Sequence, residues 1–359
     1  MEARRFLIMA GGTGGHVFPA LTTARLLQDK GHEVNWLGSR GGMEVDWISA
    51  TDIPLRLIRV SGLRGKGGLA RFLAPLRLSR ALFEAWRTLR QVQPDCVLGM
   101  GGFVSGPGGF AAWLTGRPLV IHEQNAVAGM TNRWLSRFAL ITLEAFPGSF
   151  GPGTVTRCTG NPVRRDLVET PEPRERIAIQ GRLRILVLGG SRGARAINEL
   201  LAVAVAAMPA PDRPSVMHQC GRDHLEATQD AYHRAGVEAE VVPFIEDMAS
   251  AYSRADLVIC RAGALTLAEI CAVGLGSILV PFPHAVDDHQ TVNARYLSDN
   301  GAARLIPQTE LDAAGLAAQI LALDADRETL VSMAECARSL RVSDATERVV
   351  NYCMEAAHG

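Results

Sequence analysis

The sequence lacks three features that would each indicate a class of protein. Its 37 basic residues balance its 37 acidic residues, so no overall charge draws the chain to nucleic acid. Its longest apolar run, 200–210, is interrupted by Pro209 and is shorter than the roughly 18 residues of a membrane-spanning helix. Only residues 6–10 are continuously apolar before the first glycine, which is too little for a signal peptide. We therefore expect a soluble or, at most, a peripheral protein.

Paired cysteines are also lacking. The seven cysteines are scattered, include no C-x-x-C pair and add up to an odd number. This distribution suits a reducing cytoplasm, and most of the cysteines lie in apolar runs, as small buried hydrophobic residues do.

The apolar runs that are present divide the chain into two similar halves. With 359 residues, 47% of them hydrophobic, the chain can form two cores. Short apolar runs alternate with helical patterns, and each half begins with a strand, a glycine turn and a helix. This predicts two open parallel sheets with helices on both faces. The predicted strands are 6–10, 33–37, 55–60, 96–100, 119–122 and 140–143, then 184–188, 216–219, 240–242, 257–260, 278–280 and 304–306.

The first glycine turn lies in the segment 9–20, MAGGTGGHVFPA. Glycine permits positive φ and close approach of a ligand, and the first N–H groups of the following helix favour an anion. His16 is the one titratable side chain in this turn. The turn glycines are Gly11, Gly12, Gly14 and Gly15.

The spacing of this turn argues against a nicotinamide dinucleotide. Val17 replaces the third glycine of the G-x-G-x-x-G pattern. The second predicted strand is not followed by the acid that would bind a ribose 2′-hydroxyl, and Arg40 leaves only an NADP variant open.

A second strand, turn and helix pattern covers 260–269. Unpaired N–H groups near 263–266 can hold a phosphate. Glu269 lies in the early turns of the helix, where a carboxylate can accept two ribose hydroxyls. An ordinary acid that compensates the helix dipole is an equal alternative.

Polar residues follow two further strands. The loop 281–290 contains two histidines and two aspartates, but its spacing fits no common zinc or D-x-D motif, so sugar contact and helix capping are favoured over a metal. The stretch 121–125 ends a strand in His122, Glu123, Gln124 and Asn125, a position that usually faces a ligand. A structural hydrogen-bonded cluster is the alternative for His122 and Glu123.

The segment 64–90 combines basic and large apolar residues. Glu84 is its one acid. The combination suits an anionic membrane surface, and an amphipathic helix with a solvated basic face is equally compatible. Nucleic acid ranks third because no recognition module accompanies the segment. Its basic residues are Arg64, Lys66, Arg71, Arg77, Arg80, Arg87 and Arg90.

Taken together, these stretches resemble the MurG family, the bacterial glycosyltransferases that add N-acetylglucosamine to lipid I in peptidoglycan synthesis. The motifs follow the family order along most of the chain. They are GGTGGHVFPA at 11–20, GGFVSGPG at 101–108, HEQN at 122–125, GNPVR at 160–164, GGSRGA at 189–194, RAGALTLAE at 261–269, PFPH at 281–284 and DDHQ at 287–290.

The resemblance implies an α/β fold of the GT-B type, with two Rossmann-like domains facing across a cleft. It implies a membrane-facing acceptor domain over 1–162, a donor-binding domain over 163–342, and a last helix, about 343–359, that packs back on the first domain. It implies no cofactor, no metal and no nucleic acid. The implied partners are UDP-GlcNAc, lipid I (undecaprenyl-pyrophosphoryl-MurNAc-pentapeptide) and the anionic inner-membrane surface, which the protein would bind peripherally from the cytoplasm.

The resemblance also implies contacts for the donor. Ile245 would meet the uracil through its backbone, Glu269 would hold the ribose hydroxyls, and Gln290 would contact the sugar. The implied UDP-GlcNAc set is Thr13, Gly14, Gly15, Asn125, Arg164, Ser191, Ile245, Ala264, Leu265, Thr266, Leu267, Ala268, Glu269 and Gln290. The first four would also lie near the pyrophosphate or the reacting hydroxyl of lipid I.

The implied reaction inverts the donor sugar as the acceptor hydroxyl attacks and UDP leaves. Helix N-termini after Ser191 and Gly263, with Arg164, can stabilise the leaving diphosphate without a metal. His16 is the candidate base, and Glu123 or His122 is the reserve. His16 can instead bind only the acceptor pyrophosphate. A UDP-GlcNAc 2-epimerase or hydrolase and a catalytically silent membrane scaffold are the alternative functions.

Overall fold

The computed structural model describes residues 2–60, 74–177, 180–190 and 193–358. They form two compact units. Unit 1 comprises the described residues of 1–163 and 344–359, and unit 2 those of 164–343. Ser191 and residues 64–73 of the basic segment lie outside the described residues.

Unit 1 contains a seven-stranded parallel sheet in the order β3-β2-β1-β4-β5-β6-β7. The direction in which strands are added reverses between β1 and β4, and ligands bind at such a switch point in doubly wound sheets. The strands are β1 (Arg5–Met9), β2 (Glu33–Ser39), β3 (Leu55–Ile58), β4 (Cys96–Gly99), β5 (Leu119–Glu123), β6 (Ile141–Glu144) and β7 (Arg157–Cys158). The helices before unit 2 are α1 (Gly14–Asp29), α2 (Glu44–Ser49), α3 (Ala74–Val92), α4 (Ser105–Leu114) and α5 (Met130–Leu135).

Unit 2 contains a six-stranded parallel sheet in the order β10-β9-β8-β11-β12-β13, which reverses between β8 and β11. Its strands are β8 (Arg184–Leu188), β9 (Ser215–Gln219), β10 (Glu240–Val242), β11 (Leu257–Cys260), β12 (Gly276–Leu279) and β13 (Ala303–Leu305). Its helices are α6 (Arg165–Val168), α7 (Pro173–Arg176), α8 (Arg195–Ala206), α9 (Leu225–Arg234), α10 (Met248–Ser253), α11 (Ala264–Val273), α12 (His289–Ser298), α13 (Ala313–Ala325) and α14 (Arg327–Ser339).

The last helix, α15 (Ala345–His358), belongs to unit 1. Alternate residues of β1 point to opposite faces, so Phe6 and Ile8 enter one core and Leu7 and Met9 enter another. One apolar side of α15 completes the Phe6 core, because Val349 and its apolar neighbours on that side are fully buried there.

The fold predicted from the sequence, two parallel-sheet α/β units, is confirmed. Every predicted strand is present within a few residues of its expected bounds. Strand β7 was missed, because its two residues are exposed and pair only with β6, so they leave no apolar run. Within the described residues, no helix has both the length and the apolar character needed to cross a bilayer.

Candidate active site

The glycine turn after β1 is held by a buried carboxylate. Glu44 is fully buried, and its Oε2 accepts a hydrogen bond from the Gly12 N–H at 3.0 Å. Its Oε1 accepts from the N–H and the hydroxyl of Ser39 at 2.7 and 2.5 Å. Among the turn glycines only Gly12 has positive φ, +93°. The Gly12 amide is therefore engaged by the protein, and the amides that remain for an anion are those of Gly14 and Gly15 at the start of α1.

His16 lies in the first turn of α1, at the switch point between β1 and β4. Its ring packs against Gly101, which follows β4. A Cβ atom added to Gly101 would lie 2.6 Å from His16 Nδ1, and Gly101 has a φ of +99°. Only glycine at position 101 leaves this space for the imidazole.

A chain of hydrogen bonds runs inward from His16. His16 Nδ1 lies 2.8 Å from Gln124 Oε1, and Gln124 Nε2 lies 3.1 Å from His122 Nδ1. His122 Nε2 lies 3.0 Å from the carbonyl oxygen of Gly160. His122 is fully buried, and burial lowers its pKa to about 4, so it is neutral. Of these two histidines, His16 is the one that remains partly exposed.

Glu123 is engaged on both carboxylate oxygens. Its Oε1 accepts from the backbone and side-chain N–H groups of Asn125 at 3.0 and 3.1 Å. Its Oε2 accepts from the Gly129 N–H at 3.1 Å and from Asn132 Nδ2 at 2.8 Å. A carboxylate with four donors and almost no exposure is suited to holding Asn125 and its loop in place, and this arrangement favours a positioning role over that of a base.

In unit 2, the predicted phosphate site lies at the start of α11, beside the switch point between β8 and β11. The backbone amides of Leu265 and Thr266 are in the first helical turn, where no intrahelical acceptor is available. Leu267 differs from its neighbours, because its N–H donates to the Gly263 carbonyl at 3.0 Å and its side chain is fully buried. The side chain of Leu267 therefore packs in the core of unit 2, whereas Ala268 is partly exposed and Ala264 lies buried at the helix start.

Glu269 lies one turn further along α11. Its Oε2 accepts a hydrogen bond from the buried Tyr252 hydroxyl at 3.0 Å. Burial raises the pKa of Glu269 to about 7, while the positive charge of Arg164 and the Tyr252 hydrogen bond act in the opposite direction. Arg164 caps the start of α6 and is partly exposed. Arg164 is thus close enough to Glu269 for its charge to act on the carboxylate.

The loop 281–290 is anchored from both sides. Gln290 Oε1 accepts from the Phe282 N–H at 3.0 Å. The Arg261 guanidinium donates to the carbonyls of Val280 and Pro281 at 3.0 and 3.2 Å, so Arg261 supports the loop. Across 2–60, 74–177, 180–190 and 193–358, no group of three potential metal ligands occurs.

Three predicted donor contacts remain: Ile245, Ser191 and Thr13. Ile245 is 5% exposed and lies between β10 and α10. Its backbone, rather than its side chain, is therefore the group suited to a ligand. Ser191 is outside the described residues. Thr13 is exposed at the N-cap of α1.

Helix α3 presents apolar side chains to solvent. Leu76 is 71% and Phe83 is 59% exposed, and Phe83 stacks on Trp86 with ring centroids 5.7 Å apart. Helix α4 packs beside α3, and α5 packs beside α4. Trp113 of α4 and Trp134 of α5 are also partly exposed, 47% and 41%. The three neighbouring helices therefore each expose large apolar side chains, and their solvent-exposed side is called the α3–α5 face.

Sequence reasoning missed four residues that shape these sites. Gly101 directly follows a predicted strand, and a glycine at such a position indicates that another group approaches the backbone closely. Gln124 was noted only as part of a polar cluster. Glu44 and Tyr252 lie far along the chain from the groups they hold, and no local pattern marks them.

Both units of this chain match known protein families and known proteins. Residues 6–143 match the glycosyltransferase family 28 N-terminal domain, and residues 184–349 match the family 28 C-terminal domain. A relative from Marinobacter nauticus is 64% identical over 99% of this chain and 98% of its own length. One from Hahella chejuensis is 54% identical over 99% of both chains. Both are named UDP-N-acetylglucosamine–N-acetylmuramyl-(pentapeptide) pyrophosphoryl-undecaprenol N-acetylglucosamine transferase.

Solved structures agree with the family match. The crystal structure of Acinetobacter baumannii MurG is 42% identical and superposes with a TM-score of 0.82 over 98% of this chain and 99% of that chain. A putative UDP-N-acetylglucosamine 2-epimerase from Listeria monocytogenes superposes with a TM-score of 0.68 over 98% of this chain and 95% of that one. Its 14% identity makes it a likeness of fold alone.

Proposed function

The chain belongs to glycosyltransferase family 28, and from this premise we propose that it transfers N-acetylglucosamine from UDP-GlcNAc to lipid I. The acceptor atom is the 4-hydroxyl of the N-acetylmuramyl sugar, and the product is lipid II for peptidoglycan. The observation that carries the proposal is the relative of that name, which is 64% identical over 99% of the chain.

Unit 1 supplies the acceptor side. His16 takes the proton of the attacking hydroxyl, and the amides of Gly14 and Gly15 face the acceptor pyrophosphate together with Thr13. Asn125, held by Glu123, contributes a polar contact at the same edge of the sheet. A base in this position contributes roughly 10²–10⁴-fold to the rate.

Unit 2 supplies the donor side. Glu269 accepts the ribose hydroxyls, Ile245 meets the uracil through its backbone, and Gln290 contacts the sugar. The first turn of α11, with Ser191 and Arg164, surrounds the diphosphate. Charge develops on that diphosphate as the glycosidic bond breaks, and amide dipoles and a guanidinium stabilise it without a metal ion.

Lipid dependence distinguishes this function from a 2-epimerase or hydrolase. We expect release of UDP from UDP-GlcNAc only when a short-chain lipid I analogue is added, because the acceptor hydroxyl is the nucleophile. A coupled assay for free UDP, run with and without the analogue, measures this. UDP release of equal rate without lipid I would overturn the transferase in favour of a hydrolase or of a 2-epimerase that hydrolyses the donor to UDP and free sugar.

We expect the affinity for UDP-GlcNAc to fall as the pH drops through about 7. The ionised form of Glu269 accepts both ribose hydroxyls, so the bound donor favours the carboxylate. Each unit by which the donor lowers the pKa of Glu269 adds about tenfold to the affinity above pH 7. Calorimetric titration between pH 5.5 and 8.5 measures this. Glu269→Gln should bind more weakly, with a flat profile, whereas an unchanged pH profile in this variant would place the ribose elsewhere.

The α3–α5 face supports peripheral binding to the cytoplasmic surface of the inner membrane. Its apolar side chains can enter the headgroup region, while Arg77, Arg80, Arg87 and Arg90 contribute about 1 kcal/mol each near anionic lipid. The substrate lipid would then reach unit 1 from the bilayer.

Replacing Phe83 and Trp86 together by serine should weaken binding to phosphatidylglycerol vesicles by about a hundredfold or more, because each buried aromatic side chain contributes about 1.5–3 kcal/mol and each 1.4 kcal/mol is a factor of about ten. Vesicle co-sedimentation measures the binding. Val203→Ser is the matched control, since Val203 is 52% exposed but lies in unit 2. Equal loss in the control, or no loss in the double variant, would remove the α3–α5 face from membrane binding.

A further inference from the structure

A chain of hydrogen bonds joins His16 to Gly160 through Gln124 and His122. In each of these bonds only one of the two partners can be the donor. The Gly160 carbonyl can only accept, so His122 Nε2 carries a proton and donates it over 3.0 Å. The Thr159 hydroxyl, 3.2 Å from the same nitrogen, donates its own proton to the Gly160 carbonyl at 3.1 Å and is therefore an acceptor towards His122. His122 is neutral, since burial lowers its pKa to about 4, and its Nδ1 is therefore an acceptor.

The same reasoning fixes the orientation of the Gln124 amide. Its nitrogen lies 3.1 Å from His122 Nδ1 and 3.2 Å from the His122 carbonyl oxygen, and both are acceptors. Only the NH₂ group can satisfy both of them. The amide oxygen of Gln124 must then face His16, at 2.8 Å from Nδ1. This assignment follows from the partners and does not depend on how the amide atoms were placed.

We infer that Gln124 is a positioning residue that keeps a proton on His16 Nδ1 and thereby leaves Nε2 as the atom that accepts the proton of the attacking hydroxyl. An amide oxygen accepts only, so Nδ1 stays protonated in both the neutral and the charged imidazole. The inference rests on the proposed role of His16 as base. It adds that a buried chain of hydrogen bonds, which ends at the Gly160 carbonyl, determines which nitrogen of His16 is basic.

Among the described residues around His16, the hydrogen-bonded chain through Gln124 is what determines which ring nitrogen carries the proton. The ring packs on Gly101, which has no side chain. The nearby carboxylates have other partners: Glu123 is held by Asn125, Gly129 and Asn132, and Glu44 by Gly12 and Ser39. Neither carboxylate is hydrogen-bonded to the imidazole of His16 within the described residues.

The first test is the ¹⁵N spectrum of histidine-labelled protein, with His16 identified by its loss in His16→Ala. Wild type at a pH where His16 is neutral should show a protonated Nδ1 and an unprotonated Nε2. The opposite pattern would overturn the inference, whether or not the protein transfers the sugar.

The second test is Gln124→Met, which keeps the length of the side chain and removes the amide. We expect kcat to fall about tenfold, because His16 without a partner at Nδ1 populates both neutral tautomers. The KM for UDP-GlcNAc should not change, and the His16 signals should show both tautomers. Thr23→Val is the control: Thr23 is fully buried in unit 1, and its hydroxyl donates to the Pro19 carbonyl at 2.9 Å, outside the chain that runs from His16 to Gly160.

A double-mutant cycle separates positioning from general destabilisation. In a His16→Ala background, Gln124→Met should cause no further loss of kcat, because the group through which it acts is absent. A further tenfold loss in that background, or the same loss in Thr23→Val, would assign Gln124 a structural role only. If wild type transfers no sugar and yet shows the expected ¹⁵N pattern, the proposed function fails while the geometry of the chain stands.

Discussion

His16→Ala should lower the rate of sugar transfer by about 10²–10⁴-fold, the range that a positioned general base contributes. The imidazole lies at the switch point of the unit 1 sheet and is the partly exposed end of a buried hydrogen-bonded chain. No other described titratable side chain in the glycine turn can replace it. Single-turnover transfer of labelled N-acetylglucosamine to a short-chain lipid I analogue measures the effect.

The affinity of His16→Ala for UDP-GlcNAc is the internal control. The predicted contacts of the nucleotide lie in unit 2, around Glu269 and α11, so the dissociation constant should stay within about twofold of wild type. A variant that transfers at the wild-type rate would remove His16 from the chemistry. A large loss of donor affinity would instead place His16 in the donor site.

Gly101→Ala should lower the transfer rate by about 10²-fold, because a displacement of the catalytic group by about an ångström has an effect of this size. The new Cβ would lie 2.6 Å from His16 Nδ1, so the ring must move and its bond to Gln124 must break. The positive φ of Gly101 adds strain, and a modest loss of thermal stability should accompany the loss of rate.

Gly106→Ala is the matched control for this prediction. Gly106 lies in α4, a few residues beyond Gly101, and an added Cβ would make only ordinary contact, 3.6 Å from Thr131 Cγ2. It should keep both rate and stability. If Gly101→Ala keeps the wild-type rate while remaining folded, the geometry argued for His16 is not the one that operates.

Much of the fold could be predicted because a parallel strand that is buried on both faces consists of a short run of apolar residues. Residues 6–10 and 257–260 are examples, and both became central strands. The glycine turns were predictable for the same reason, since a turn that follows such a run lies at the carboxyl end of the sheet. The switch points themselves depend on strand order, which no local pattern encodes.

The supports of the site could not be predicted in this way. Glu44 looks like any acid in the first turn of a helix, yet it is fully buried beneath the glycine turn. Glu123 bonds to residues of the loop and helix that directly follow β5, and Tyr252 bonds to Glu269 of the helix α11. No apolar periodicity encodes side-chain hydrogen bonds of this kind. For Glu123 the structure favours the structural alternative over the reserve base, because both oxygens already have donors. Leu267 lies in the predicted contact run, but helical geometry turns it into the core.

The central claim is that this chain joins N-acetylglucosamine to a lipid-linked acceptor by direct, metal-free inversion at the sugar. The most direct measurement is the structure of the product formed from labelled UDP-GlcNAc and a short-chain lipid I analogue in the presence of EDTA. We expect a β-linked disaccharide on the lipid, formed at the same rate with and without EDTA. An α-linkage, a requirement for added metal, or labelled free N-acetylglucosamine or N-acetylmannosamine in place of the disaccharide would contradict it.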